Sequence, residues 1–217
     1  MLAMPARPAL ILLAGPSGSG KSRLARLSGC VSVRLDDFYR DFDDADMPRW
    51  GEIVDWDDPH SWNGRAAIDA ITTLLDQGSV RVPVYDISLS RRIGYHELVL
   101  PDSPAGQRIR IVAEGIFAPE LVRPCQELGL ETTGVWLSRG GPLVFVLRLV
   151  RDLREHRKAP HILLRRGWAL LRKEPAQRRA AEAKGCETLT MRQAAARIES
   201  LRRSCRGRRG IPRLPCS

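Results

Sequence analysis

Hydrophobic and polar positions along this chain alternate between two periods. Short apolar runs at Leu10–Leu13, Val31–Leu35, Ile109–Ala113 and Thr133–Leu137 read as buried strands. Between them the spacing turns helical. Lys21–Ser28 presents Leu24, Ala25 and Leu27 as one face. Ser61 is placed to cap a helix carrying Ala67, Ile68, Ile71, Leu74 and Leu75, which Gly78 ends. Val80–Tyr85 reads as a strand interrupted by Pro83, hence at an edge, and Glu97–Leu100 as another short edge strand. Pro119–Leu128 reads as a short helix. From Pro142 onward the pattern is helical, with a break at Pro160 and a second helix over Ile162–Lys173. A last helix starts at Thr190, where Thr190-Met-Arg-Gln193 has capping-box spacing ahead of Ala194, Ala195, Ile198 and Leu201. Strands alternating with helices predict an α/β fold, a parallel sheet covered on both faces. Ligands of such sheets bind at the carboxyl ends of the strands.

Composition narrows this picture. At 217 residues and 43% hydrophobic content, a single domain over residues 1–203 is expected, with residues 204–217 as a basic, poorly ordered tail. No apolar run is long enough to span a membrane. Met1–Pro8 offers no secretory signal, and the five scattered cysteines contain no C-x-x-C pair, so a cytoplasmic chain with reduced thiols is expected. Charge is split unevenly. Residues 1–138 hold 14 Lys/Arg and 19 Asp/Glu, whereas residues 139–217 hold 21 and 6. A basic half of this kind suits either nucleic acid or a cover over a polyanionic nucleotide. Its near lack of aromatics beyond Trp168 argues against a stacking platform for single strands.

The chemistry centres on residues 15–22. Gly15-Pro16-Ser17-Gly18-Ser19-Gly20-Lys21-Ser22 fits G-x-x-x-x-G-K-[ST] in full, between a strand and a helix. This phosphate loop cradles a nucleoside triphosphate with backbone N–H groups. Lys21 places its charge on the β- and γ-phosphates, and Ser22 offers a hydroxyl to Mg²⁺. ATP and Mg²⁺ are therefore the expected cofactors.

Phosphoryl transfer needs three further parts: a second handle on the metal, a group that orients or deprotonates the attacking hydroxyl, and cations against the moving charge. Glu114 ends an apolar strand and is the candidate for the metal. Asp36 and Asp37 both leave the second strand; two adjacent carboxylates there point in different directions, one able to face the site and the other solvent. Arg148, Arg151, Arg154, Arg157 and Lys158 are the candidate cations. Residues 36–58 carry ten carboxylates and two arginines, an acidic excursion from the core.

Several co-linear motifs resemble the uridine/cytidine kinases. They are Asp36-Asp37-Phe38-Tyr39-Arg40, Trp56-Asp57-Asp58-Pro59, Val82-Pro83-Val84-Tyr85-Asp86 and Val112-Ala113-Glu114-Gly115-Ile116-Phe117-Ala118. The resemblance covers residues 9–120 well and the later part weakly. It implies a P-loop NTPase three-layer α/β/α sandwich with a helical, arginine-rich lid at about 142–175. It assigns Asp36 as catalytic base and metal-side acid, and it places Tyr39 and Tyr85 near the nucleoside. Asp57 would bind the ribose hydroxyls, Arg91 would serve the substrate, and Arg151-Asp152 would be the lid pair. Lys21 and Arg151 then join Asp36 in catalysis, and Ser22, Glu114 and Asp36 hold the metal. The chain departs from the family at Ser88-Leu89-Ser90-Arg91, where the family has a histidine that contacts the pyrimidine, while His96 lies further on. His60 replaces an acid beside the ribose segment, and Ser138-Arg139-Gly140-Gly141-Pro142 replaces an aspartate-rich turn.

The expected function is ATP-dependent phosphoryl transfer to the 5′-hydroxyl of a pyrimidine nucleoside. The near alternative is a kinase of another small alcohol, of phosphorylated-sugar or pantothenate type. A nucleotide-gated nucleic-acid-binding protein is a different class, and a member that binds ATP without transferring it is a third. The expected partner is a small-molecule acceptor, with no membrane and no nucleic acid; a homo-oligomer is left open.

Overall fold

The computed structural model describes residues 9–101, 110–138 and 174–203. Five parallel strands form the main sheet: β1 (Ala9–Ala14), β2 (Val31–Arg34), β7 (Arg110–Glu114), β8 (Glu131–Ser138) and β9 (Cys186–Thr190). Their spatial order is β2-β7-β1-β8-β9. β1 is buried at all six positions because it lies mid-sheet with both faces covered. Its side chains alternate between two cores. Leu10, Leu12 and Ala14 join Val33, Ile111, Trp136, Ile71 and Leu74, while Ile11 and Leu13 join Val112, Val135, Leu24, Ala25, Ala194 and Ile198. Helix α2 (Gly64–Gln77) and the short α3 (Val122–Glu127) contribute to the first core. Helix α1 (Lys21–Leu27) and α5 (Met191–Arg203) contribute to the second, which makes three layers. Helix α4 covers residues 174–183.

Two hairpins stand outside this sheet. β3 (Arg49–Trp50) pairs with β4 (Ile53–Val54) inside the acidic excursion, and β5 (Ser79–Asp86) pairs antiparallel with β6 (Arg91–Val99). Pro83 sits within β5 opposite Tyr95, as the two-stranded arrangement allows. The pairing shifts between Val84 and Tyr85, leaving Ile93 without a partner.

Several expectations change in detail. Asn63, not Ser61, caps α2 by accepting the Ala66 N–H at 3.0 Å. Ser61 closes a preceding 3₁₀ turn instead, its hydroxyl donating to the Asp58 carbonyl at 2.7 Å. Leu27 lies at 72% exposure, so the buried face of α1 is Leu24 and Ala25 alone. The edge strand expected at Glu97–Leu100 is the nine-residue β6. The Thr190 capping box forms as expected: Gln193 Oε1 accepts the Thr190 N–H at 2.9 Å and Thr190 Oγ1 accepts the Gln193 N–H at 3.4 Å. The segment expected to form the lid, about 142–175, falls outside the described residues except at its last two positions, and the tail from residue 204 lies outside them entirely.

Candidate active site

The phosphate loop connects β1 to α1 at the carboxyl end of the sheet. Gly15 has φ 145°, and a Cβ there would come within 2.7 Å of the Leu137 carbonyl oxygen. Gly20, at φ 97°, sets the left-handed entry to α1. Lys21 Nζ donates to the Gly15 carbonyl at 2.8 Å and to the Pro16 carbonyl at 3.3 Å, which draws its ammonium over the loop.

Sheet register brings the carboxylates to the same place. Glu114, the last residue of β7, pairs with Leu13 of β1 on one side and Arg34 of β2 on the other. It is 5% exposed. Burial pushes its carboxyl up from the ordinary range, opposed by the Lys21 charge and a hydrogen bond with the Ser22 side chain; Asp36 pushes it further up and Arg34 pulls it down. Lys21, Ser22, Glu114 and Asp36 thus act on one another electrostatically. Two carboxylates and a hydroxyl are hard oxygen donors. Mg²⁺ is ordinarily held by one or two carboxylates together with substrate phosphates, so this set fits it.

Asp36 and Asp37 lie in a 3₁₀ turn (Leu35–Phe38) that follows β2, and they diverge. Asp36 faces Gly115: a Cβ on that glycine would lie 3.0 Å from Asp36 Oδ1. Asp37 does not face solvent. It is 4% exposed, accepts the Tyr85 backbone N–H at 3.4 Å and stands 3.7 Å from Arg34 Nη1. Burial pushes its carboxyl up, against the lowering pull of Arg34 and the Tyr85 N–H.

Beyond Asp36 the chain builds an aromatic wall. The Tyr39 ring lies 5.6 Å from Trp56, 5.8 Å from Tyr85 and 5.8 Å from Phe117. Trp62 stacks on Phe117 at 5.4 Å and donates from Nε1 to the Leu35 carbonyl at 2.7 Å. Tyr39 donates its hydroxyl to the Trp56 carbonyl and Tyr85 to the Arg40 carbonyl. Burial pushes the Tyr39 hydroxyl pKa well up, with Asp36, Asp57 and Tyr85 adding to the effect. Asp36, Tyr39, Asp57 and Tyr85 therefore share one neighbourhood, with Asp57 exposed at its rim. A polar cavity of about 150 Å³ adjoins the wall, lined by Asp37, Tyr39, Asp41, Asn63 and Arg92 among others. Of the residues expected at the site, Arg91 is drawn elsewhere. It is exposed, paired with Asp43 at 2.7 Å and placed over the Phe42 ring. Arg151 lies outside the described residues. Trp56 and Phe117 stand within the motif strings but were given no site role, and Trp62 lies outside them, since their grouping depends on contacts far apart in sequence.

No family model matches the chain. It is 25% identical over 156 residues to a uridine kinase from Clostridium perfringens, spanning 69% of this chain and 70% of that one. A uridine kinase from Halalkalibacterium halodurans is 26% identical over 159 residues, with 70% and 71% spanned. The chain is thus similar to these uridine kinases over about 70% of its length. The chain is also similar to part of a longer protein: the inorganic pyrophosphatase TTM1 of Arabidopsis thaliana is 32% identical over 162 residues, 71% of this chain. The chain spans only about a fifth of that plant protein, 22% of its length. Among solved structures, a proposed fructose transport system kinase from Silicibacter sp. TM1040 superposes with a TM-score of 0.58. The identity is 20%, over 87% of this chain and 92% of that one, which shows a shared fold.

At the tip of the β5–β6 hairpin the chain carries Leu89 where the resemblance calls for histidine. Leu89 is 60% exposed, in a turn held by Asp86 Oδ1, which accepts from the Ser88 and Leu89 N–H groups. His96 pairs with Val82, three steps along the ladder from the Tyr85–Arg92 pair. Cys30, Cys125 and Cys186 are free thiols. No helix among the described residues is long and apolar enough to cross a membrane.

Proposed function

We propose that this chain is an ATP-dependent kinase that transfers the γ-phosphoryl group to a primary hydroxyl of a small acceptor, with the 5′-hydroxyl of a pyrimidine nucleoside the favoured one. The observation that carries this is the placement of Asp36. It is close enough to act electrostatically both on Glu114, which neighbours Lys21 and Ser22 of the phosphate loop, and on Tyr39 of the aromatic wall. Asp36 is then the group that orients or deprotonates the acceptor hydroxyl. Lys21 holds the β- and γ-phosphates, and Asp57 accepts hydrogen bonds from acceptor hydroxyls. Ser22, Glu114 and Asp36 would hold Mg²⁺, which when bound neutralises charge on the phosphates. Residues 142–175 would close over the nucleotide as a lid within a domain spanning 1–203, with Arg151 against the transferring group, in a cytoplasmic protein.

A panel of nucleosides, sugars and other alcohols with Mg-ATP, read by ADP release, tests this. Asp36→Asn and Lys21→Ala are each expected to lower acceptor-dependent release by at least about a hundredfold. Retained turnover in Asp36→Asn would remove it from the base role. Leu89 at the histidine position favours, as the nearest second reading, a kinase of a different alcohol. The higher identity to the plant pyrophosphatase supports another, hydrolysis of a phosphoanhydride without an alcohol acceptor; turnover of pyrophosphate by the chain would favour it.

A further inference from the structure

The β5–β6 hairpin is hydrogen-bonded strand to strand within itself, and among the described residues neither strand joins the five-stranded sheet. Yet it carries Tyr85, whose ring belongs to the wall around Asp36. Tyr85 therefore stands on a different sheet from the strand ends that carry Asp36 and Glu114. At its tip the hairpin is tied to the segment after Asp36 by the Phe42 N–H, which donates to the Ser90 carbonyl at 3.1 Å, and by the Arg92 N–H, which donates to Asp41 Oδ1 at 2.7 Å; at Tyr85 itself the tie is a side chain. That side chain is Asp37. Its Oδ1 accepts the Tyr85 N–H across 48 residues of sequence, and the same oxygen faces Arg34 at the end of β2. Tyr85 extends the connection through its hydroxyl, which donates to the Arg40 carbonyl at 3.0 Å.

A carboxylate is an expensive way to fill a site that is 4% exposed. An apolar side chain would supply packing alone at less cost, but it would leave the buried Tyr85 N–H without an acceptor. Asp37 is also next in sequence to Asp36, so any strain or slack in its bond to the hairpin is passed directly to the carboxylate that meets the acceptor. We propose that Asp37 is a positioning residue for the acceptor: it latches the hairpin to the end of β2 and so fixes Tyr85 relative to Asp36. This rests on the kinase reading above, in which Tyr85 borders the acceptor. Arg34 is a weaker part of the latch, because its side chain is 56% exposed and an exposed ion pair contributes little.

Two variants separate latching from bulk stability. Asp37→Ala removes the acceptor oxygen, whereas Asp37→Asn keeps an oxygen for the Tyr85 N–H and removes the charge. In Asp37→Ala the KM for the alcohol is expected to rise about tenfold or more while the KM for ATP stays within about twofold, and Asp37→Asn is expected to recover most of the difference. Amide hydrogen exchange at Tyr85 is expected to quicken in Asp37→Ala, with Leu12 and Ile111 in the sheet unchanged. Equal losses toward ATP and alcohol, or unchanged Tyr85 exchange in Asp37→Ala, would overturn the latch. If the wild-type chain shows no acceptor-dependent turnover, the kinase reading fails and the exchange measurement alone decides whether Asp37 holds the hairpin.

Discussion

Gly115→Ala probes the site with a single methyl group. A Cβ at Gly115 would stand 2.7 Å from Leu35 Cβ, 3.0 Å from Asp36 Oδ1 and 3.5 Å from Asp36 N. Carbon atoms in contact ordinarily rest about 3.5–4.0 Å apart, so the nearest approach is too short by roughly 1 Å. Gly115 is not among the residues with positive φ, so the substitution acts through packing and not through the backbone conformation. Leu35 is fully buried and has no room to retreat alone. Relief comes from moving the Leu35–Asp36 backbone away from Glu114. Overpacking of this kind costs about 1–3 kcal/mol of stability. A displacement approaching 1 Å at a catalytic carboxylate costs on the order of a hundredfold in rate. Gly134→Ala supplies the comparison, since its Cβ would meet Val122 Cγ2 at 2.9 Å and Cys186 Sγ at 3.0 Å, on the far side of β1 from β2. Urea unfolding is expected to show similar destabilisation in both variants. Acceptor-dependent ADP release is expected to fall about a hundredfold in Gly115→Ala and to stay within about twofold in Gly134→Ala. Wild-type turnover in Gly115→Ala would refute the role given to Asp36, and equal losses in both would assign the effect to general destabilisation.

Stability depends on features remote from this site as well. Thr190→Ala removes both bonds of the Thr190 hydroxyl, the one it donates to Gln193 Oε1 and the one it accepts from the Gln193 N–H, and is expected to cost about 0.5–2 kcal/mol in urea unfolding, with ATP affinity unchanged. Asn63→Ala, at the cap of α2, is expected to cost a similar amount, about 0.5–2 kcal/mol, and no loss in either variant would contradict the capping assignment. Burial pushes the Cys125 and Cys186 thiols from the ordinary 9.0 up to about 11, and pushes the Tyr39 and Tyr85 hydroxyls up as well. The folded chain thus keeps these protons to higher pH than the unfolded chain. Their contribution is complete below pH 9 and lost as pH rises through 11, at up to about 1.4 kcal/mol per pH unit for each fully responding group. The urea midpoint is expected to be lower at pH 10.5 than at pH 8, and an unchanged midpoint would contradict that burial.

Much of the sheet could be read from the chain because β1, β2, β7 and β8 contain short apolar runs. β9 could not. Cys186-Glu187-Thr188-Leu189-Thr190 is a polar segment, and its extended form comes from parallel pairing with β8. β6 was underestimated for the opposite reason: Arg91–Val99 is exposed at nearly every position, so no alternation marks it. Ser61 and Asn63 are both capping residue types two positions apart, and only the 3₁₀ turn at Pro59–Ser61 decides between them.

The site divides along a similar line. Gly15–Ser22 could be proposed from a fixed motif, and Glu114 from its place at the end of an apolar strand. The resemblance selected Asp36 over Asp37, and in the fold the two carboxylates have different surroundings. Asp37 is consumed by the Tyr85 N–H, which leaves Asp36 facing Gly115. The aromatic wall was only half visible, through Tyr39 and Tyr85. Trp56, Trp62 and Phe117 meet them by tertiary packing that no local pattern records.

One measurement bears most directly on the kinase proposal. The purified chain is incubated with Mg-ATP and uridine or cytidine, and ADP and nucleoside monophosphate are quantified together. Equal molar amounts of the two products, appearing only when the nucleoside is present, are the expected result. Phosphate released from ATP or pyrophosphate at a rate indifferent to the nucleoside would contradict it.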